Sequence, residues 1–253
     1  MKNKKIIPVL LVFSIFLTSC GNFSSIKKNQ LVIEKLDKNT LSTSDISNEK
    51  KVLTEEEAKL KALEVLEKYF NLKLYLTEVG CDVQFHSSSM IKKSLDEVNP
   101  NSYSKEQLEY SKSVLENGLY EMNFYNKVEE QLKNTEFKYF SMKIDSKTGE
   151  CLSVNGYYID KTADSQSSPI DIEEAKKLAE EFILKNNIGN IKKIKLVNEN
   201  ERRQNADVNY RLLFEDADVA YKKVLICIDG NTKKVYRFST GVMEIIDFST
   251  DKW

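Results

Sequence analysis

The chain has 253 residues, a formal net charge of −1 and 41% hydrophobic residues. The near-neutral balance leaves no basic footprint for nucleic acid, and the apolar content suffices for one large core or two small ones. One histidine excludes a multi-histidine metal site, and four cysteines at long, irregular spacings give no C-x-x-C motif or disulfide framework; no metal or cofactor is expected.

Lys2, Lys4 and Lys5 precede an apolar run from Ile6 to Leu17. That run is shorter than the roughly 20 residues needed to span a bilayer, so it reads as the middle of an export signal. Leu17-Thr18-Ser19-Cys20 follows, with small residues before a cysteine. The pattern resembles the recognition sequence of lipoprotein signal peptidase. It implies that residues 1–19 are removed and that the Cys20 sulfur carries lipid, each buried CH₂ contributing about 0.8 kcal/mol to membrane attachment. Residues 20–52 are mostly Ser, Thr, Asn and Lys. They read as a tether with a reach of roughly 30 Å. The lysine-, asparagine- and isoleucine-rich composition suggests an AT-rich genome, as in low-GC Gram-positive bacteria.

Two stretches, 53–160 and 170–253, then share one order of signals. Thr54 with Glu57, and Asp171 with Glu174, have the spacing of capping boxes. The first predicted helix has Ala58, Ala62, Val65, Leu66 and Tyr69 on one face. The second has Ala175, Leu178, Ala179, Phe182 and Ile183, and the early alanines permit close approach to a sheet. Strand alternation follows at Tyr120, Met122 and Phe124, then over Phe137 to Ile144. Its counterparts are Tyr210, Leu212 and Phe214, then Val224, Ile226 and Ile228. Ile144-Asp145-Ser146-Lys147-Thr148-Gly149 matches Ile228-Asp229-Gly230-Asn231-Thr232-Lys233, each a predicted hairpin turn. Lys233 stands where glycine is expected, so the second turn is predicted to differ in type. The first stretch is longer, with an insert between Phe85 and Leu119. That insert is predicted to hold a helix from Ser104, paired with Gln107, to Gly118, with Leu108, Ser111, Leu115 and Leu119 as a thin stripe.

The fold expected is α+β, two tandem units, each a helix packed on an antiparallel sheet. Glu56-Glu57-Ala58 with Ala62, Glu173-Glu174-Ala175 with Ala179, and the closing Ile-Asp-x-x-Thr-Gly turn resemble the PepSY domain. The resemblance implies cystatin-like units and a regulatory or inhibitory role toward peptidases or cell-wall hydrolases. It carries no catalytic residues.

Catalytic motifs are weak. Ser89-Met90-Ile91-Lys92 and Lys147-Thr148-Gly149 fit two elements of penicillin-interacting serine enzymes. Too few residues separate them, no Ser-Asp-Asn lies between, and the second is already a hairpin turn. Cys81 and His86 could be drawn as nucleophile and base, but His86 reads better as a loop residue. The acidic runs Glu55 to Glu57 and Glu173-Glu174 suit first helical turns. The expectation is therefore a non-catalytic binding or regulatory module on the outer face of the cell membrane. Its partners would be membrane lipid through acylated Cys20, and an envelope protein or peptide. The alternative is a receptor capturing a small ligand or peptide between the two units, near Ile159 to Pro169. The crowded aromatic residues of the first stretch would supply anchors wherever they are exposed.

Overall fold

The computed structural model of the chain describes residues 52–127, 137–158, 168–204 and 207–250. Residues 1–51, which include the export signal and the tether, lie outside them. So do residues 159–167 of the connection.

Eight strands form one antiparallel sheet. The first four are β1 (Val79–His86), β2 (Leu119–Asn126), β3 (Phe137–Asp145) and β4 (Cys151–Tyr158). The rest are β5 (Ile194–Gln204), β6 (Asp207–Asp216), β7 (Val219–Asp229) and β8 (Lys234–Thr240). Their order is β1-β2-β3-β4-β8-β7-β6-β5, so the strands of both stretches share one sheet. The seam is short: Ser153, Val154 and Asn155 of β4 lie opposite Ser239, Phe238 and Arg237 of β8.

Helix α1 (Glu55–Phe70) precedes the first four strands, and α5 (Ile172–Asn186) precedes the last four. Thr54 and Glu57 form the full reciprocal capping box. Asp171 accepts from the Glu174 amide. Each cap is worth about 1 kcal/mol. Both helices end at an asparagine in the left-handed region, Asn71 at φ 55° and Asn187 at φ 53°. Ala58, Ala62 and Leu66 of α1, and Ala175, Ala179 and Ile183 of α5, are buried in one core with Met122, Phe124, Phe140, Leu212, Phe214 and Phe238. The small alanines bring each helix axis close to the strands. Burying a residue such as Leu66 contributes about 1.5–3 kcal/mol. Over the seam, the Phe238 ring packs 5.6 Å from Tyr69 and 6.1 Å from Phe182, tying both helices to one strand.

The local contacts of the two stretches recur. The Tyr120 hydroxyl donates to the Leu53 carbonyl, and the Tyr210 hydroxyl to the Ile170 carbonyl. Leu53 N–H donates to Ser146 O, and Ile170 N–H to Gly230 O. Asp145 Oδ1 accepts from the amides of Lys147 and Thr148, as Asp229 Oδ1 does from Asn231 and Thr232. The predicted difference between the turns does not occur. Lys233 takes φ 58° where Gly149 takes φ 73°, and each donates its amide to the aspartate carbonyl four residues back. The surrounding hydrogen bonds hold a lysine in a conformation that favours glycine.

The insert holds more than the one helix anticipated. α2 (Ser88–Asp96) comes first, and the Ser104 helix breaks at Ser111 into α3 (Lys105–Tyr110) and α4 (Lys112–Asn117). The Ser104–Gln107 capping box forms, and α4 stops at Gly118 as its φ of 85° requires. A Cβ at Gly118 would lie 2.4 Å from the His86 carbonyl oxygen, so only glycine fits. A last helix, α6 (Gly241–Thr250), has no counterpart in the expectations. It shares with α2 and α4 a second core of Ile91, Leu95, Val114, Leu152, Val242 and Ile245, on the sheet face opposite α1 and α5.

Candidate functional site

Leu17, Thr18, Ser19 and Cys20 lie outside the described residues. Of the other candidates, Ser89 sits in the first turn of α2, where its hydroxyl meets Ser87 Oγ at 2.9 Å. Lys147-Thr148-Gly149 forms the β3–β4 turn. His86 is the last residue of β1, not a loop residue, and its Nε2 lies 2.9 Å from Glu121 Oε2. The strand reaches it because β2 starts directly opposite, at Leu119. Cys81 and His86 are five residues apart on this strand, which places their side chains on opposite faces. Cys81 packs against the α1 side of the core. Burial pushes its thiol up to about 11, against a smaller downward pull from Lys59. At neutral pH the thiol is protonated, a poor nucleophile. No disulfide joins Cys81, Cys151 and Cys227.

A cluster of buried charged groups lies beneath α6. Asp247 accepts from the hydroxyls of Ser153 (3.4 Å) and Ser239, and pairs with Arg237 at 3.1 Å. Arg211 Nη2 donates to the carbonyls of Asp247 (3.2 Å) and Phe248 (2.8 Å), satisfying acceptors at the end of the helix. Its guanidinium also stacks 4.6 Å from the Phe248 ring centre. Glu244, only 4% exposed, has its carboxyl pushed up to about 7. Burial is the main cause and Asp247 adds to it, while Lys223 and Arg211 oppose. The bonds from Ser153, Ser239, Arg237 and Arg211 fix α6 on the sheet.

At the start of α6 the packing leaves a cavity of about 120 Å³. Tyr110, Ser111, Asp145, Glu150, Leu152 and Thr240 line it, from both stretches of the chain. Asp145 is held by its turn amides and by the Ser113 hydroxyl at 3.2 Å. The Tyr110 hydroxyl donates to the Gly189 carbonyl at 3.2 Å. Glu150, exposed for much of its length, has its carboxyl pKa raised by loss of solvent and by the charge of Asp145. A shallower groove of about 350 Å³ runs between Ser104, Gln107, Glu215, Tyr221 and Lys223. Composition gives no signal for either feature, because the cavity depends on α6 meeting the insert and the groove on α3 of the insert meeting β6 and β7.

The outer face of β2 and β3 carries a third surface. Tyr125 and Tyr139, opposite each other in register, are 42% and 44% exposed. Tyr125 donates to Asp82 at 3.3 Å, which lifts its phenol pKa.

The fold and these surfaces define a mixed α+β protein built on one eight-stranded antiparallel sheet. The chain belongs to the family of the YcdB, YcdC repeated domain, whose model matches residues 93–241, more than half its length. The match begins in α2, runs across the seam and ends where α6 begins. It is a match to that domain, and it does not establish kinship with PepSY. A solved structure from Clostridium difficile 630, named "putative lipoprotein (CD1622)", is 12% identical over 48% of this chain and 72% of its own, with a TM-score of 0.21. No curated protein matches the chain in sequence. Among the described residues no helix is long and apolar enough to cross a membrane.

Proposed function

We propose that the chain is a lipid-anchored binding module on the outer face of the cell membrane, non-catalytic and engaging a protein or peptide of the envelope. Leu17-Thr18-Ser19-Cys20 after a short apolar run supports the anchor. The open outer face of β2 and β3 carries the binding role. Tyr125 and Tyr139 stand there as rigid, partly exposed anchors, with Asn123 exposed between β1 and β3. Aromatic residues so placed supply contact area at low entropic cost. A peptidase or cell-wall hydrolase is the partner class, carried from the resemblance to PepSY units. The recurring tyrosine-to-carbonyl bonds and turns support reading the two stretches as related PepSY-like copies merged through one sheet.

Two measurements test this reading. Mass spectrometry of membrane-extracted protein should find a chain starting at an acylated Cys20. Crosslinked pull-down from cells should recover an envelope protein that is lost in Tyr125→Ser/Tyr139→Ser. An unmodified Cys20, or identical capture by the double variant, would overturn the anchor or the face respectively. A second reading, ligand capture between the two stretches, is favoured by the cavity that residues of both line.

A further inference from the structure

The cavity at the start of α6 has an unbalanced chemistry. Among the described residues its wall carries two carboxylates, Asp145 and Glu150, and no lysine or arginine. Ser111, 4% exposed, lines it with an Oγ that has no hydrogen-bond partner among the described residues. Thr240, 2% exposed, lines it too; its Oγ1 lies near the Tyr110 phenol without a well-formed hydrogen bond. Buried hydroxyls are normally satisfied, and an exception points to an occupant. Water alone would fill the space, at about 30 Å³ per molecule, yet would bring no positive charge to a wall whose Asp145 is met only by neutral donors, the Lys147 and Thr148 amides and the Ser113 hydroxyl. Glu150 senses Asp145 and no neighbouring cation.

Resting on the ligand-capture reading, we propose that this cavity binds a primary ammonium group. Such a group carries one positive charge and three N–H donors. Asp145 and Glu150 supply the countercharge, and the Ser111 and Thr240 hydroxyls accept the remaining protons. A divalent metal is a poorer fit: among the described residues no three His, Cys, Asp or Glu groups converge on one point. The small volume restricts the site to the head of an amine, whether free or at the end of a lysine-like side chain.

Calorimetric titration of the full chain with methylammonium chloride, against matched sodium chloride, tests the proposal. Saturable binding above the sodium control is expected, with no equivalent response to calcium or to tetramethylammonium, which has no N–H donors. Glu150→Gln should weaken binding about tenfold or more and Ser111→Ala by a few-fold. Asp82→Asn, on the open sheet face, should leave it unchanged. Absence of saturable binding, equal binding by calcium or tetramethylammonium, or full affinity in Glu150→Gln would overturn the assignment. Unchanged denaturation of Glu150→Gln shows that lost binding is not lost folding. If methylammonium fails to bind while an envelope protein is still captured, the module reading stands and only this site falls. An N-acetyl-lysine methyl ester arm distinguishes side-chain amines from free ones: binding by methylammonium alone limits the site to free amines.

Discussion

The two halves of the sheet use similar strands and bury them differently. On the inner face both are alike, each covered by an alanine-bearing helix. On the outer face β2 alternates, with Met122 and Phe124 buried and Asn123 and Tyr125 exposed. β6 is buried without a break from Tyr210 to Asp216; on its outer side Arg211 reaches the Asp247 and Phe248 carbonyls of α6, and α6 and α3 pack on the neighbouring β7. Strand pattern alone therefore does not set burial; what lies on the second face does. That cover also draws Arg211, Glu215, Glu244 and Asp247 into the interior, where each needs a partner or a shifted pKa.

The largest expected effect lies at the seam between the halves. Phe238 is fully buried and touches the aromatic residues of both α1 and α5. Phe238→Ala should cost about 3–5 kcal/mol in denaturant unfolding. Tyr139→Ser, on the open face, should stay within about 0.5 kcal/mol of the parent. Similar costs for both would mean that the outer face of the first half is packed against something in solution.

Next comes the covered face. The Glu244 pKa is raised from 4.5 to about 7, so the folded state holds a proton there that the unfolded state releases at lower pH. Stability from this group is full below about pH 4.5 and is lost as pH rises through 7. Glu244→Gln should therefore be more stable than the parent at pH 8, by about 2–3 kcal/mol, with the advantage fading toward pH 4. Parallel stability–pH curves for the two proteins would show that Glu244 is solvated and α6 loosely seated.

This contrast also explains what could be read from the sequence. Both capped helices, the inward alternation of β2, β3, β6 and β7, and the two aspartate turns were legible because each is a local pattern. The α+β class follows from them. The single sheet was not, since three opposed pairs at β4 and β8 leave no periodic trace. Nor was α6. Val242, Met243, Ile245 and Ile246 form a short apolar run after Gly241, the one signal that could have marked it. The cavity was illegible because Ser111, Asp145 and Thr240 become neighbours only when α6 meets the helix break at Ser111. Asp145 itself stands out in the sequence, but as a turn former.

The smallest expected effect tests how closely the halves correspond. Gly149 and Lys233 occupy the same left-handed position in equivalent turns, one with the residue that suits it and one without. Around Gly149 a Cβ would meet Leu53 and Lys61 at 3.4 Å and beyond, ordinary contact distances, so Gly149→Lys is penalised by backbone conformation alone. That penalty is about 1 kcal/mol. Lys233→Gly should return a similar amount, reduced by the exposed Lys233–Glu174 pair at 3.5 Å, which is worth at most a few tenths of a kcal/mol. The double exchange should then leave stability nearly unchanged, because the two turns make the same aspartate bonds. A large residual in thermal or denaturant unfolding would show that the turns differ in their surroundings. Gly149 lies in the β3–β4 turn that presents Asp145 to the cavity, whereas Lys233 lies in the β7–β8 turn beside α5.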